Sequence, residues 1–209
     1  MADVPVSADA AAVDWVAPHC DLVDRLANVP PNARMRGLWF KVIETEVKKH
    51  GHWAEYRRWF PDDAFRSLSY YWTGDYLVRA AVAGALIAGA PELLHTGMHE
   101  FARANAASFA GTLFGRTLLK LLSPDPVNVV RQGIAARRQT LTHGHWRLGR
   151  TEPGLLEVEL TEEYVWIESL VTGATLGTFD AIGVEAEVVP VLTDRFNGKV
   201  VCTYQPRGG

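Results

Sequence analysis

Histidine is the residue type in this sequence whose spacing could carry chemistry, because four of the seven histidines lie in two copies of the tetrapeptide His-Gly-His-Trp. The copies occupy residues 50–53 and 143–146. If a strand begins at the second copy, His143 and His145 point to the same side, an arrangement that can bind a metal ion. The spacing gives only a pair of ligands, whereas a zinc site needs three or four, so we predict no metal site.

A second histidine pair, His95 and His99, is four residues apart on a predicted helix, which is also a ligand spacing. The zinc-protease pattern His-Glu-x-x-His is absent, since Glu100 follows the second histidine. The sequence also lacks the Gly-x-Ser-x-Gly nucleophile motif and a Walker-type phosphate loop. We therefore name no catalytic residue and no cofactor, and the sequence favours a non-catalytic protein.

Two groups of charged residues could form acid or anion sites. Glu162 and Glu163 are neighbours at the end of a predicted strand, and Arg131, Arg137 and Arg138 belong to one basic stretch. Each setting is typical of a solvated face, of a sheet in the first case and of a helix in the second.

The two His-Gly-His-Trp copies do not extend into a repeat, because their flanking sequences share no pattern. Each copy lies where one predicted element ends and another begins. We interpret the histidines as junction residues, with Trp53 and Trp146 anchoring the element that follows. On this interpretation, replacing His143 and His145 together leaves folding and metal content unchanged.

Composition and charge exclude several classes of protein. Hydrophobic residues make up 48% of the 209 residues and the net charge is −3, which favours a packed core and argues against a nucleic-acid partner. Cys20 and Cys202, near opposite ends, are interpreted as reduced thiols of a cytoplasmic protein. The N-terminus lacks the basic start of a signal peptide. The most apolar run, residues 77–91, contains Arg79 and is too short to span a bilayer, so we predict no membrane insertion.

Apolar residues recur with helical spacing through the first two-thirds of the chain. We predict helices at residues 7–29 with a break at Pro18, and then at 34–51, 61–72, 74–90, 91–122 and 123–141. Capping is expected from Ser7 or Asp9 in the first helix and from Ser123 in the last. The helix at 74–90 is small and apolar almost all round, so it must be buried and its Gly and Ala residues allow neighbours to approach closely.

After Thr142 the pattern changes to alternation of apolar and polar residues. One hairpin turns at residues 151–154, with Leu156, Val158 and Leu160 facing inward. A helix follows at 162–183, and a second hairpin turns at Asn197-Gly198. The fold class is therefore α+β, with an N-terminal helical layer followed by a β-β-α-β-β antiparallel sheet.

The domain organisation follows from this division. We predict a helical N-terminal extension at residues 1–33 and a single α+β domain at 34–209. Within that domain, 34–142 is the helical part and 143–206 is the β-β-α-β-β part.

Four stretches of this sequence suggest a relationship: MRGLWF, YRRWFP, FAGTLFGRTLLKLLSPDPVNVV and VTGATLGTFDAIGVEAEVV. Together with the β-β-α-β-β end, they resemble an uncharacterised family concentrated in myxobacteria, over residues 34–206. That family is similar to a wider group that contains the four-vinyl-reductase domain, the Bet3-type TRAPP subunits and the heme–nitric-oxide-binding domain. The resemblance implies dimerisation through helices, and binding of a small apolar ligand or lipid, sensing or scaffolding in place of catalysis.

The sequence departs from two branches of this group. The heme branch's Tyr-x-Ser-x-Arg motif is missing, although His95 or His99 could ligate iron. The cysteine cluster of some four-vinyl-reductase-like sensors is missing too, because only Cys202 lies near the C-terminus. No functional residue is carried over from the family.

We predict a homodimeric α+β domain that binds a small hydrophobic molecule between its helices and its sheet. The lining residues are chosen from their apolar setting and are Trp72, Leu86, Phe101, Phe109 and Phe114. One alternative is a TRAPP-like interaction scaffold that needs no ligand. The other is an enzyme or a heme- or metal-binding protein.

Overall fold

The computed structural model describes residues 10–61, 64–111 and 125–205, with the backbone alone at 107–111. The chain forms two compact units, Met1–Met98 and His99–Gly209. The α+β class is confirmed by the helices and the two antiparallel sheets of this structure. The boundary drawn at residues 33 and 34 stays a prediction.

The first unit consists mainly of helices. In chain order its elements are α1 (Ala10–Val16), α2 (Leu22–Asn28), β1 (Arg34–Arg36), α3 (Gly37–Lys49), α4 (Trp53–Trp59), β2 (Tyr70–Trp72) and α5 (Thr73–Ala88), followed by the start of α6 (Leu94–Gly111). A short 3-10 turn at Ala17–His19 separates α1 from α2, so the predicted break at Pro18 is confirmed. Ser7 and Asp9, expected to cap the first helix, lie outside the described residues.

Helix α5 is the core of the first unit, as its small apolar composition predicts. Nearly all of its residues are buried. Arg79 is buried as well, with its guanidinium carbon 4.3 Å from the ring centre of Phe60 and 5.1 Å from that of Phe65. Stacking on aromatic faces stabilises the buried cation.

Glycine lets the first turn of α6 approach α5 closely. A Cβ added to Gly84 would stand 2.4 Å from the carbonyl oxygen of Leu94, and one added to Gly97 would stand 2.0 Å from the carbonyl oxygen of Gly84. No other residue fits at such distances. The close approach expected of the Gly- and Ala-rich helix is therefore confirmed.

The predicted helix at 61–72 is wrong where the structure describes it. Residues 64–69 are loop and turn, and β2 pairs antiparallel with β1, which was expected to be the start of a helix. The backbone N–H of Gly37 donates to the Ser69 carbonyl at 2.8 Å. Aromatic packing holds this segment, since the rings of Phe40 and Phe65 stack at 4.1 Å. Tertiary contacts thus overrule the helix-start signal of Pro61.

The second unit contains the rest of α6 and the predicted β-β-α-β-β arrangement. Its further elements are α7 (Pro126–Arg138), β3 (His145–Glu152), β4 (Leu155–Thr161), a π-turn (Ile167–Val171), α8 (Thr172–Ala181), β5 (Ala186–Leu192) and β6 (Gly198–Tyr204). The strands form one antiparallel sheet in the order β3-β4-β6-β5. Both predicted hairpins are confirmed, but the second one turns over residues 193–197 and not at Asn197-Gly198, because Gly198 already pairs with Leu192. Asp125 caps α7 by accepting from the backbone N–H groups of Val127 and Asn128, whereas Ser123 lies outside the described residues.

One face of the sheet is apolar, and the other mixes charged side chains with the exposed Val189 and Val191. Leu156, Val158 and Leu160 of β4 are buried, as predicted, and Val200 and Cys202 of β6 lie beside them. On the opposite face Lys199 and Glu157 form an ion pair at 2.8 Å. Both cysteines are free thiols, and burial raises the pKa of Cys202 to about 12, so it stays protonated.

Among the described helices, none is long and apolar enough to cross a membrane by itself. Helix α5 and residues 91–106 meet the length and hydropathy requirements only as a bent pair.

Candidate functional site

Helices α6 and α8 contact each other backbone to backbone within the second unit. A Cβ on Gly173 would stand 2.3 Å from the carbonyl oxygen of His99, and one on Gly177 would stand 2.2 Å from that of Arg103. The two glycines are four residues apart, as are the two residues that they meet, so each contact repeats one turn further along both helices. This crossing fixes the backbone that carries His99.

Two hydrogen bonds between Arg103 of α6 and Asp180 of α8 join the two helices at the solvent-exposed side of this crossing. The Arg103 Nε donates to Asp180 Oδ2 at 2.6 Å, and its Nη2 donates to Oδ1 at 3.1 Å. Both side chains are accessible to solvent, so the pair orients the helices more than it stabilises them.

The surroundings of the His99 imidazole favour its neutral form. It is half-buried, and burial lowers its pKa below the usual value, with a smaller contribution in the same direction from Arg103. A neutral ring leaves one nitrogen lone pair available at neutral pH. His95 lies one turn earlier on α6 and is also half-buried.

The structure describes three of the five predicted lining residues completely. In the first unit, Leu86 is buried in α5, and Trp72 is half-buried at the end of β2, where its Nε1 donates to the Pro30 carbonyl at 3.1 Å. In the second unit, Phe101 is buried on α6. The side chain of Phe109 and the whole of Phe114 lie outside the described residues. A shared ligand pocket for these five residues stays a prediction.

The second His-Gly-His-Trp copy forms a buried polar cluster in the second unit, which we call the junction cluster and define as Arg137, His143, Trp146 and Glu163. Glu163 is fully buried. Its Oε2 accepts hydrogen bonds from Arg137 Nη2 and, at 2.6 Å, from Trp146 Nε1. Its Oε1 accepts from the backbone N–H of Val165 at 3.2 Å. The cluster thus ties the end of α7, the start of β3 and the segment after β4 together.

Two residues with left-handed backbone conformation frame this cluster. Gly144 has φ of 74°, and a Cβ there would stand 2.5 Å from Arg137 Nη2 and 3.0 Å from Glu163 Oε2. Glu162 has φ of 54°, which is strained for a residue with a side chain. This strain accompanies the burial of the next carboxylate, that of Glu163.

The interpretation of Glu163 and Arg137 as solvated residues is therefore wrong. Glu162 is exposed, as expected, but its neighbour is inside the protein. Arg137 is largely buried, with its guanidinium carbon 4.5 Å from the ring centre of Trp146. The sequence holds one signal that could have indicated this, the apolar and aromatic run Tyr-Val-Trp-Ile directly after Glu163, because a carboxylate next to such a run tends to be buried with a partner.

The two histidines of this copy lie in different surroundings, which corrects the expectation that they point to the same side. Strand β3 begins only at His145, whose side chain is exposed, whereas His143 precedes the strand and is 8% exposed. Replacing both is therefore no longer expected to leave folding unchanged. Within the described parts of the chain, no three His, Cys, Asp or Glu side chains converge to hold a metal ion.

Both copies lie at element boundaries, as interpreted from the sequence. In the first copy Gly51 has φ of 82° and α4 begins at Trp53. In the second, Gly144 is left-handed too and β3 begins one residue later. In both copies the glycine has a left-handed backbone conformation and lies between two secondary-structure elements, so the two copies meet the same backbone requirement.

Comparison with solved structures identifies the fold as that of the H-NOX domains. An H-NOX protein from K. algicida in the Fe(II) unliganded state matches with a TM-score of 0.65 and 12% identity, over 83% of this chain and 98% of that one. One from S. oneidensis in the Fe(II) state matches with a TM-score of 0.67 and 11% identity, over 84% and 98%.

A third structure, an oxygen-binding H-NOX domain related to soluble guanylate cyclases, matches with a TM-score of 0.59 and 15% identity, over 83% of this chain and 95% of that one. No protein-family model matches the chain, and no curated protein matches it in sequence. Of the group that the sequence resembles, the heme–nitric-oxide-binding branch is thus supported by fold. The relationship to the myxobacterial family, the four-vinyl-reductase domain and the TRAPP subunits stays a prediction.

Proposed function

We propose that this chain is a small-molecule-sensing domain with the H-NOX fold and without catalytic activity of its own. The observation that carries the proposal is the extent of the structural match, since 98% of the K. algicida H-NOX chain is covered. The absence of a nucleophile motif from the sequence agrees with a binding function. The small molecule is either heme with its gas ligand or an apolar compound.

Heme is the first candidate, because His99 is a side chain that could hold this group. His99 offers a half-buried neutral imidazole on a helix whose backbone is held by Gly173. A neutral imidazole is the form that ligates iron. When bound, heme supplies an iron that can take up a diatomic gas. The part of this chain is to hold His99 in place and to keep it unprotonated.

An apolar compound without iron is the second candidate, and the sequence supports it. The Tyr-x-Ser-x-Arg motif of the heme branch is missing. The five lining residues proposed from the sequence would contact such a compound. Dimerisation remains part of the proposal, and so does the alternative of a scaffold that binds no small molecule.

The test is a visible absorption spectrum of the protein after reconstitution with hemin, made for the wild type and three variants. We expect a Soret band in the wild type and in the control His50→Ala, whose imidazole is exposed at the end of α3. The band should be lost in His99→Ala and kept in His95→Ala. A band that survives in His99→Ala contradicts His99 as the ligand.

Native mass spectrometry of freshly purified protein distinguishes the remaining outcomes. A stoichiometric adduct with the mass of an apolar compound, in protein that shows no Soret band, supports the second candidate. Protein that is empty and also takes up no heme contradicts small-molecule sensing and favours the scaffold. The same spectrum gives the oligomeric state.

A further inference from the structure

The Asn197-Gly198 pair has structural roles that differ from the turn that its letters suggest. Gly198 is the first residue of β6 and pairs with Leu160 of β4 and Leu192 of β5. A Cβ on Gly198 would stand 2.6 Å from the carbonyl oxygen of Val191, so glycine allows β5 and β6 to approach closely at this point. Glycine is therefore required here by close packing of two strands.

The side chain of Asn197 is held at both ends of its amide. Its Nδ2 donates to the carboxylate of Asp194, at 2.9 Å to Oδ1 and 2.8 Å to Oδ2, and its Oδ1 accepts from the backbone N–H of Glu162 at 3.0 Å. Glu162 is the residue with the strained left-handed backbone. Beside it, the backbone N–H of Glu163 donates to the Phe196 carbonyl at 2.8 Å. Asn197 thus joins the turn between β5 and β6 to the segment after β4.

This bridge requires an amide at position 197. One end of the side chain must donate a hydrogen bond and the other must accept one, which a carboxylate cannot do. Asp194 is a carboxylate, and hydrogen bonds from Asn197 and from the backbone N–H of Phe196 lower its pKa, so it is ionised at neutral pH. An acid at position 197 would place a second negative charge against Asp194 and offer it no donor.

An asparagine that precedes a glycine can lose its amide by reaction with the peptide chain. The backbone nitrogen of Gly198 attacks Cγ of Asn197, a new C–N bond forms, and the side-chain nitrogen leaves as ammonia. Water then opens the resulting succinimide ring at either carbonyl, which gives aspartate or isoaspartate. Glycine has no side chain to hinder the attack. In the folded protein Asn197 is hydrogen-bonded at both ends and Gly198 is held between two strands, so the rotation that the attack requires is blocked.

We propose that Asn197-Gly198 is a latent deamidation site: the folded turn at residues 193–197 protects it, local opening of that turn exposes it, and the product no longer bridges Asp194 and Glu162. The reaction in the folded protein then proceeds at the unfolded-chain rate multiplied by the fraction of molecules whose turn is open. Because hydrolysis to the acid is not reversed, the modification marks molecules in which the turn has opened. The inference does not depend on the proposed sensing function.

The protection is tested by incubating the protein in mildly alkaline buffer, folded or unfolded in urea, and mapping its peptides by mass spectrometry after digestion at low pH. We expect deamidation of Asn197 to be at least about tenfold slower in the folded protein, as holds when the turn is open in fewer than about one molecule in ten. Asn28 is the internal reference, because the branched side chain of Val29 hinders the same attack and should keep its deamidation slow even in urea.

Two variants test whether the bridge is the source of the protection. Asp194→Ala removes the acceptor of the Asn197 amide, so deamidation should become faster in the folded protein and stay unchanged in urea. The control Glu187→Ala removes an exposed carboxylate from β5 and should react like the wild type.

The effect of the product is tested with Asn197→Asp, which has the same side chain as the deamidated residue. Its urea-unfolding midpoint should lie below that of the wild type. Addition of Asp194→Asn should recover part of the difference, because the exchanged pair again contains one donor and one acceptor.

Four results would overturn the proposal: no deamidation at Asn197 in urea, equal rates in folded and unfolded wild type, a folded Asp194→Ala variant that reacts no faster than the wild type, or an Asn197→Asp variant as stable as the wild type. If Asp194→Ala does not fold, the two wild-type rates and the Asn197→Asp midpoint decide.

Discussion

Gly173 lies against the backbone of His99 so closely that a Cβ on the glycine would stand 2.3 Å from the His99 carbonyl oxygen. The next turn repeats the contact between Gly177 and Arg103. Helix α8 therefore packs directly against the turn of α6 that carries the half-buried His99. A ligand bound to His99 would act on a backbone that has no freedom to move away from α8 without breaking this contact.

Replacing Gly173 with alanine should destabilise the protein. Alanine favours a helix by about 1 kcal/mol over glycine, but a methyl group forced into a backbone contact costs about 1–3 kcal/mol or more, so the net change is a loss. Gly133 in α7 is the matched control, because a Cβ there meets no atom within 4 Å. Gly133→Ala should gain about 0.5–1 kcal/mol. Urea unfolding followed by circular dichroism measures both, and a Gly173→Ala variant as stable as Gly133→Ala would contradict the contact.

The ion pair between Arg137 and Glu163 should show strong coupling, because Glu163 is fully buried. Glu163→Gln leaves the Arg137 charge without its counter-ion and should cost about 3–5 kcal/mol of unfolding free energy. The double variant Arg137→Met with Glu163→Gln should recover part of this loss. At the exposed pair Arg150–Glu152, by contrast, we expect removal of either partner to leave the unfolding free energy nearly unchanged, because solvent screens the two charges. A double-mutant cycle measured by urea unfolding gives both coupling energies, and equal values would contradict the buried role of Glu163.

The β-β-α-β-β part of the fold could be predicted because its signals are local. Alternation placed Leu156, Val158 and Leu160 on one face, and the Asn-Gly pair indicated the second hairpin, although its turn lies at residues 193–197. These rules depend only on residues adjacent in sequence. The buried helix α5 was predicted for the same reason, since its apolar residues leave no polar face.

The predictions that were wrong have a different cause in common, which is contact between residues that are distant in the sequence. The segment after Pro61 has a good helix-start signal, yet Tyr70–Trp72 pairs with Arg34–Arg36. From the sequence alone Glu163 is interpreted as a surface residue, because its hydrogen-bond partner Arg137 lies 26 positions earlier in the chain. Such pairings leave no periodic pattern in a single sequence, and conservation among related sequences would be the signal able to reveal them.

The unfolding free energy of the protein should decrease as the pH is lowered, over a range set by the pKa of His143. Its pKa is about 4 in the folded protein and 6.5 for a free imidazole, so the unfolded chain binds the extra proton first. Stability from this group is therefore complete above pH 6.5 and is lost as the pH falls toward 4. Between pH 7.5 and pH 5 the loss should be about 2 kcal/mol, from 1.36 kcal/mol per pKa unit.

The variant His143→Leu isolates this contribution, because leucine fills a similar volume and does not titrate. Wild type and variant are compared by urea unfolding at pH 7.5 and pH 5. The difference between their unfolding free energies should change by about 2 kcal/mol between the two pH values. His145→Leu, at an exposed position, should follow the wild type. A His143→Leu variant with the same pH dependence as the wild type would show that the ring is solvated.

The two His-Gly-His-Trp copies allow a direct comparison of one substitution in two surroundings. Gly51 and Gly144 have nearly the same φ, 82° and 74°, so alanine should cost about 1–2 kcal/mol at each from backbone strain alone. At Gly51 a Cβ meets nothing within 4 Å, whereas at Gly144 it would stand 2.5 Å from Arg137 Nη2. Gly144→Ala should therefore cost about 1–3 kcal/mol more than Gly51→Ala, because it displaces a buried ion pair. Urea unfolding of the two variants measures the difference, and in the Arg137→Met background that difference should shrink. Equal losses in the wild-type background would mean that both glycines serve the backbone alone and that the junction cluster leaves room beside Gly144.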